Sequence, residues 1–423
     1  MTTLKVSSAV LDGRLETGGF AIGIQDGVIA SVRRETPDGP WSPCIALPGL
    51  VQTHVHLCQT LFRGMAEDRT LIPWLEERVW PLEAAHTEDT LAASVILSLR
   101  ELLSSGCTGL LDMGSVELSG VTVDLLRRSG VRAVACNALM DAGSSSLRRD
   151  LGWLKAETGR VRDSCGGLVS HGLAPRFALS CSDPLWEWIG EEDGIRTTHA
   201  SESPSELAWP AIEDEGGNIR FLHRRGFLGR GTLLAHCVHL GQGEPELLAS
   251  TGTSVVHCPW TNLRLGSGIA DVPRLEELGV PVSLGSDGSA CNNALSPAGD
   301  ARLAMALSSV TSAPGRLGGA YWLDAVTSSA AASLGWEGCG TVSPGCAADI
   351  VLLEPSERER DELPLAEDPL RFVLEMDWPS RVRLTVTGGS VLYRDGEYPT
   401  LPPLPVPVDE ARTAVASRAG LRK

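Results

Sequence analysis

Lysine is almost missing from this chain of 423 residues: Lys5, Lys155 and Lys423 are the only three. Long hydrophobic runs are missing as well. No stretch of about 18 apolar residues occurs, so no membrane-spanning helix is expected. The opening MTTLKVSSAVLDG has no basic stretch leading into an apolar core, so no secretory leader is expected either. The 11 cysteines are odd in number, scattered and never spaced Cys-x-x-Cys. That pattern fits reduced thiols in a cytoplasmic protein rather than a disulfide framework. Positive charge is scarce, with a formal net charge of −17. A nucleic-acid backbone or an anionic membrane needs basic patches, so neither is expected as the main partner. A small neutral molecule stays open.

What is present is length and an ordinary globular composition, 43% hydrophobic and 21% charged. Such a chain can hold one α/β barrel and a smaller appendage. Residues 1–47 read as short strands with Gly/Asp turns (LKVSSAVL, FAIGIQDG, VIASVRR), and the pattern returns in CAADIVLLE, RLTVTGG and SVLYRDGEY. Both ends are therefore β-rich, which predicts a small β-sandwich domain from residues 1–47 and 346–423, with the larger domain, 48–345, inserted between them. The tail from Leu401 begins as a proline-rich connector and ends in a predicted surface helix.

In the insert, short apolar strands alternate with helical stretches: IALPGLVQTHVH, CTGLLDM, VRAVACNALMD, GLAPRFALSC, IRTTHASE, TLLAHCVHL, TSVVHCPWTN and VPVSLGSDG. Eight such units predict an α/β fold of the (β/α)8 TIM-barrel type. Gly130 is the stop signal of the helix in GVTVDLLRRSG. PLWEWIGEEDG leaves room for only about two turns after strand four.

A barrel places its chemistry at the C-terminal ends of the strands. His54 and His56 end strand one, two apart, so both imidazoles point to the same side and reach one ion. Strand five ends in His199-Ala-Ser-Glu202, strand six in His236-Cys-Val-His239, and strand eight in Gly285-Ser286-Asp287-Gly288. We read His54, His56, His199 and Asp287 as ligands of one divalent ion. Three neutral imidazoles and a carboxylate suit Zn²⁺, and Fe²⁺ or Mn²⁺ fit the same donors. A bound ion lowers the pKa of water from 15.7 to about 7. Glu202, beside His199, is the natural general base, and His236 reads as an electrostatic partner that orients the attacking water. His239 and His257 are as readily structural histidines as site groups.

The stretch ALPGLVQTHVHLCQTLFRGMAEDRTLIPWLEERVWPLE, with THASE, LAHCVHL, NLRLGSGIADV and LGSDGSACNN, resembles the aminohydrolase/chlorohydrolase branch of the amidohydrolase superfamily. The resemblance covers nearly the whole chain. It implies a mononuclear site with His54, His56, His199 and Asp287 as ligands, and Glu202, His236 and Asp287 as catalytic groups. Other branches hold two metals bridged by a modified strand-four lysine, whereas GLAPRFALS contains none. The implied reaction is attack of the activated water on an amino-bearing ring carbon, then expulsion of ammonia. The implied partner is a small purine nucleoside or related heteroaromatic substrate. Barrels of this branch are often homo-oligomers, although no segment here identifies an interface.

For substrate class the resemblance points two ways. Trp74 and Glu83 in IPWLEERVWPLE match the residues that contact the nucleoside in deaminases acting on S-adenosylhomocysteine, methylthioadenosine and 5′-deoxyadenosine, the Glu holding the ribose hydroxyls. Gln59 and Arg176 resemble the pair with which guanine deaminases hold the purine. The APRF motif together with this Trp and Glu is similar to the 5′-deoxyadenosine deaminase subgroup. Three features depart from it: a shortened segment between Cys181 and His199, an unusual loop DAGSSSLRRDLG, and Trp260 where a small serine is usual. Trp260 is expected to narrow the pocket or to offer a stacking face. The first reading is thus an adenosine-type nucleoside deaminase. The second is an aminohydrolase or chlorohydrolase acting on a free heteroaromatic base such as guanine, 8-oxoguanine or a triazine. The third, a catalytically inactive binding protein, would normally have lost a ligand or the base, and this sequence keeps every one.

Overall fold

The computed structural model describes residues 2–143 and 146–421. Four strands open the chain: Thr2–Leu11 (β1), Arg14–Gln25 (β2), Val28–Arg34 (β3) and Ile45–Pro48 (β4). β1, β2 and β3 form antiparallel hairpins. The first turns through Asp12-Gly13, both at positive φ, the geometry that matches the twist of the flanking strands.

Leu50–His56 (β5) begins a second sheet, followed by Cys107–Asp112 (β6), Arg132–Ala135 (β7), Ala138–Leu139 (β8) and Val169–Pro175 (β9). Ile195–Ala200 (β10), Thr232–His236 (β11), Ser254–His257 (β12), Val282–Leu284 (β13) and Asp287–Gly288 (β14) continue it. Ile350–Leu353 (β15), Val382–Thr387 (β16) and Ser390–Arg394 (β17) return to the first sheet.

The second sheet is parallel and curled, in the order β13-β12-β11-β10-β9-β7-β6-β5-β14, with β8 beside β9. Every residue of β5, β6, β11 and β12 is buried, the signature of parallel strands covered on both faces. Helices alternate with the strands, among them Glu88–Ser104, Ser119–Ser129, Leu151–Ser164 and Pro297–Thr311. Gly130 ends the second of these in the left-handed conformation, as its sequence position predicts. The helix after β9 is Asp183–Glu191, close to the two turns expected. The arrangement is an α/β fold of TIM-like type. Its eighth strand is split: β13 pairs with β12, and after Gly285 and Ser286 the two residues of β14 pair with Val55 and His56 of β5.

Strands from both chain ends join in one sheet, β17-β16-β15-β4-β1-β2-β3, apart from the parallel sheet. It has its own core of Val6, Phe20, Ile22, Ile350 and Leu384. IALPGLVQTHVH, read from sequence as one strand, is divided between the sheets at Gly49. A Cβ there would sit 2.1 Å from Thr108 Oγ1, so only glycine lets the backbone make the crossing. The tail helix Val408–Arg418 packs on Glu88–Ser104 through buried Ala411 and Val415, and Arg412 donates to the Arg63 carbonyl. Part of the unusual loop after strand three, Ser144 and Ser145, lies outside the described residues. Among the described residues no helix is long and apolar enough to cross a membrane.

Candidate metal centre and active site

Four strand ends converge on one point. His54 and His56 come from β5, His199 from β10 and Asp287 from β14, and one donor atom from each lies within 4.8 Å of the others. His56 Nε2 is 3.2 Å from His199 Nε2 and 3.1 Å from Asp287 Oδ1, and His54 Nε2 is 3.4 Å from the same oxygen. Ligands at about 2.0–2.1 Å from a tetrahedral ion are separated by about 3.3–3.4 Å, so this donor set fits a divalent cation. Both nitrogens of His54 and Nδ1 of His56 are buried without a hydrogen-bond partner. Buried polar atoms need such a partner, and an ion supplies one for the donor nitrogens.

The protonation states suit coordination. Burial pushes His54 down to about 4 and His199 well below its ordinary value, so both offer free lone pairs at neutral pH. Burial pushes the Asp287 carboxyl up, but the His54 and His56 rings against its Oδ1 outweigh it and hold the group well below the usual carboxylate range. His199 Nδ1 donates to the Arg176 carbonyl at 2.6 Å, which fixes the tautomer that leaves Nε2 free.

Glu202 and His236 stand together beside this centre. Glu202 Oε2 is 3.5 Å from His236 Nε2. Burial, with Asp287 nearby, pushes the Glu202 carboxyl well above its ordinary value, which suits a group that takes a proton and returns it. His236 Nδ1 donates to Asn262 Oδ1 at 2.8 Å, so the other ring nitrogen faces Glu202. Ser201, His236 and Asp287, all non-glycine, sit at positive φ where the strands end. Such backbone is held only where surrounding packing over-determines it, and it clusters at functional sites.

A cleft of about 410 Å³ opens onto this centre, lined by His56, Gln59, Leu71, Trp74, Leu75, Arg176, Phe177, His199, Glu202, Glu206 and Asp287. Gln59, Trp74 and Arg176 are among the lining residues. Glu83 is not. Its carboxylate is buried behind the wall, where Arg176 donates Nη1 to Oε2 at 2.5 Å and Nη2 to Oε1 at 3.0 Å, and Gln59 Nε2 adds a bond at 2.9 Å. Burial pushes Glu83 up, and the Arg176 charge outweighs it, holding the carboxyl below its ordinary value. The expected ribose acceptor is therefore the counter-ion of the expected purine-holding pair. Trp260 is corrected outright: it lies 39% exposed on the helix Pro259–Arg264, because that helix turns Thr261 and Asn262 inward instead, and it does not line the cleft. His239 donates to the Ser267 carbonyl and His257 is buried at the end of β12, both outside the ligand group.

Three groups went unassigned in the sequence. Asn262 lies in the NLRLGSG motif and holds His236. Glu206, four residues after Glu202, lines the cleft. Asp300 accepts from Ser286 Oγ at 2.5 Å, Gln52 Nε2 at 3.0 Å and Asn292 Nδ2 at 3.3 Å, bracing the residue before Asp287. Only the four-residue spacing of Glu206 from the base carried a local signal.

The amidohydrolase family matches residues 45–391, and the chain belongs to that family. It is 32% identical over 386 residues to the 5-methylthioadenosine/S-adenosylhomocysteine deaminase of Halobacterium salinarum, covering 89% of this chain and 86% of that one. It is 32% identical over 401 residues to the 5′-deoxyadenosine deaminase of Methanosarcina barkeri, covering 91% and 90%. A zinc-bound adenosine deaminase from Xanthomonas campestris shares the fold, with a TM-score of 0.87 and 24% identity over 99% of this chain and 97% of that one. Family and relatives together make the protein a hydrolase acting on C–N bonds.

Proposed function

We propose that the protein is a metal-dependent hydrolytic deaminase that converts an adenosine-type nucleoside to its inosine form and ammonia. Candidate substrates are 5′-deoxyadenosine, methylthioadenosine and S-adenosylhomocysteine. The observation that carries the reading is the meeting of the His54, His56, His199 and Asp287 donors with the Glu202–His236 pair at one end of the cleft. His54, His56, His199 and Asp287 would hold the ion, zinc being the best match to these donors, and when bound it would supply the Lewis acidity that makes water nucleophilic near neutral pH. Glu202 takes a proton from the attacking water and delivers it to the ring nitrogen, then takes the remaining proton of the added hydroxyl and passes it to the amine, which leaves as ammonia while the ring carbonyl forms. His236, oriented by Asn262, faces the developing charge. Gln59 and Arg176 hold the edge of the purine, and Trp74 and Phe177 supply the apolar wall. The match to deaminases at 32% identity over most of the chain supports the nucleoside substrate.

A free heteroaromatic base is the second reading, favoured by one observation: Gln59 and Arg176 line the cleft while Glu83 does not. A panel of adenosine, 5′-deoxyadenosine, methylthioadenosine, S-adenosylhomocysteine, guanine and 8-oxoguanine separates the two by ammonia release and loss of adenine absorbance. Turnover of a nucleoside is expected. Turnover of guanine and of no nucleoside would sink the first reading, and a chain without stoichiometric metal or turnover would mark a binding protein. The same reading takes residues 48–345 as a closed (β/α)8 barrel and residues 1–47 with 346–423 as a separate β-sandwich domain, which limited proteolysis tests. A homo-oligomer is tested by sedimentation.

A further inference from the structure

Glu202 itself is poorly anchored at its tip. Its Oε1 is buried without a partner in hydrogen-bond reach, its Oε2 lies 3.5 Å from His236 Nε2 and the Ser267 side chain stands beside it, so with so few ties the backbone has a large share in placing the carboxyl. That backbone leaves β10 through a left-handed Ser201 at φ 53°. The carbonyl side of the turn is tied to the end of β11: Cys237 N donates to the Ala200 carbonyl at 3.0 Å, and Val238 N and His239 N donate to the Ser201 carbonyl at 3.0 and 2.9 Å. The amide side is tied by one side chain. Glu202 N donates to Glu206 Oε2 at 2.8 Å, and Asn218 Nδ2 donates to Glu206 Oε1 at 2.5 Å. Glu206 is 1% exposed, and the single turn Pro204–Leu207 folds it back over the strand end.

We propose that Glu206 is the positioning residue of the general base, a strut between the Glu202 amide and Asn218 that aims Glu202 into the cleft. Burial pushes its carboxyl up to about 8, so it is largely neutral where the enzyme works and sets no second full charge beside Glu202. Its tie to Asn218 can also accept an amide. Asn218 Oδ1 is buried and unpartnered, so a flipped Asn218 can receive the NH₂ that Glu206→Gln introduces, while the new carbonyl still accepts from Glu202 N.

The inference rests on the deaminase reading for its kinetic arm only. The experiment compares wild type, Glu206→Ala, Glu206→Gln and Asn218→Ala by steady-state kinetics, metal content and amide hydrogen exchange over residues 200–207. Glu206→Ala is expected to lower kcat by about 10–100-fold, with KM within about threefold and metal content unchanged. Its Glu202 amide should exchange at least about tenfold faster. Glu206→Gln should stay within about threefold of wild type in both measurements, and Asn218→Ala should lose about 3–10-fold in kcat at constant KM. The proposal is overturned if Glu206→Ala keeps its turnover and its Glu202 protection. A glutamine variant as impaired as alanine, or a loss of kcat that tracks loss of metal, also overturns it. Should Glu206→Ala fail to fold, the other two variants decide, and full activity of Asn218→Ala counts against the strut. Should the wild type deaminate nothing while Glu206→Ala still frees the Glu202 amide, the deaminase reading fails and the strut stands.

Discussion

Removing Glu83 should strand a guanidinium in the wall of the cleft. Arg176 and Glu83 side chains are 3% and 1% exposed, and they meet through two bonds, Nη1–Oε2 at 2.5 Å and Nη2–Oε1 at 3.0 Å. At an effective dielectric near 20, two charges about 4 Å apart attract by about 4 kcal/mol. Losing one member of such a buried pair costs about 3–5 kcal/mol, whereas losing both costs far less, because no uncompensated charge stays behind. Equilibrium urea denaturation of wild type, Glu83→Leu, Arg176→Met and the double variant measures this directly. Each single variant should lose about 3–5 kcal/mol, and the double variant should lose only about 1 kcal/mol, a coupling of about 5 kcal/mol or more. The pH dependence has a definite sign. The folded Glu83 carboxyl is held below its ordinary 4.5, so the stability it contributes is complete above that pH and is lost as pH falls through the folded value. The gap between wild type and Glu83→Leu should therefore close in acid. Turnover of nucleosides and of free bases should fall by similar factors, since Glu83 acts on both through Arg176. Single variants within about 1 kcal/mol of wild type, or simple additivity in the double variant, would refute the reasoning, and so would a loss confined to nucleosides.

Exhaustive chelation should abolish turnover, and zinc returned at about 100 times its Kd should add about 2.7 kcal/mol of stability, measured as the shift in urea midpoint. Asp300→Asn should flatten the stability profile between about pH 4 and 7. Burial pushes the Asp300 carboxyl up to about 7, so the unfolded chain releases its proton first, and wild-type stability falls over that window by a few kcal/mol. Denaturation at pH 4.5 and 7.5 reads the difference. Trp260→Ala should leave kcat/KM within about twofold for every substrate, because the side chain stands outside the cleft; a tenfold change for any one would return Trp260 to the pocket.

The candidate ligands were legible because strand ends are local features. His-x-His, THASE, AHCVH and GSDG each mark the end of a buried apolar run, and a parallel sheet puts such ends on one rim. Distances across the rim were not legible. Glu83 and Arg176 are 93 residues apart, and nothing local says that the two spend their charges on each other. Trp260 was misjudged for a related reason: in a helix that opens at Pro259, the rotation of one residue decides between pocket and solvent, and no motif encodes it. The terminal strands were found from their turns, but their joining into a single sheet depends on β4 lying between β1 and β15, a non-local pairing.

The two residues of β14 have a consequence for the order in which the molecule comes together. Asp287 and Gly288 pair with Val55 and His56, so the seam between the last strand and the first is also the place where the Asp287 donor meets those of His54 and His56. Beside it, Gln52 and Ser286 bond across 234 residues of sequence. So distant a contact forms late in folding, after the loop-closure entropy of everything between has been overcome. Under the proposed function, ion capture would therefore wait on that contact. A cation bound there would act as a clasp between the two strands, and a chain that has lost it should fray there first.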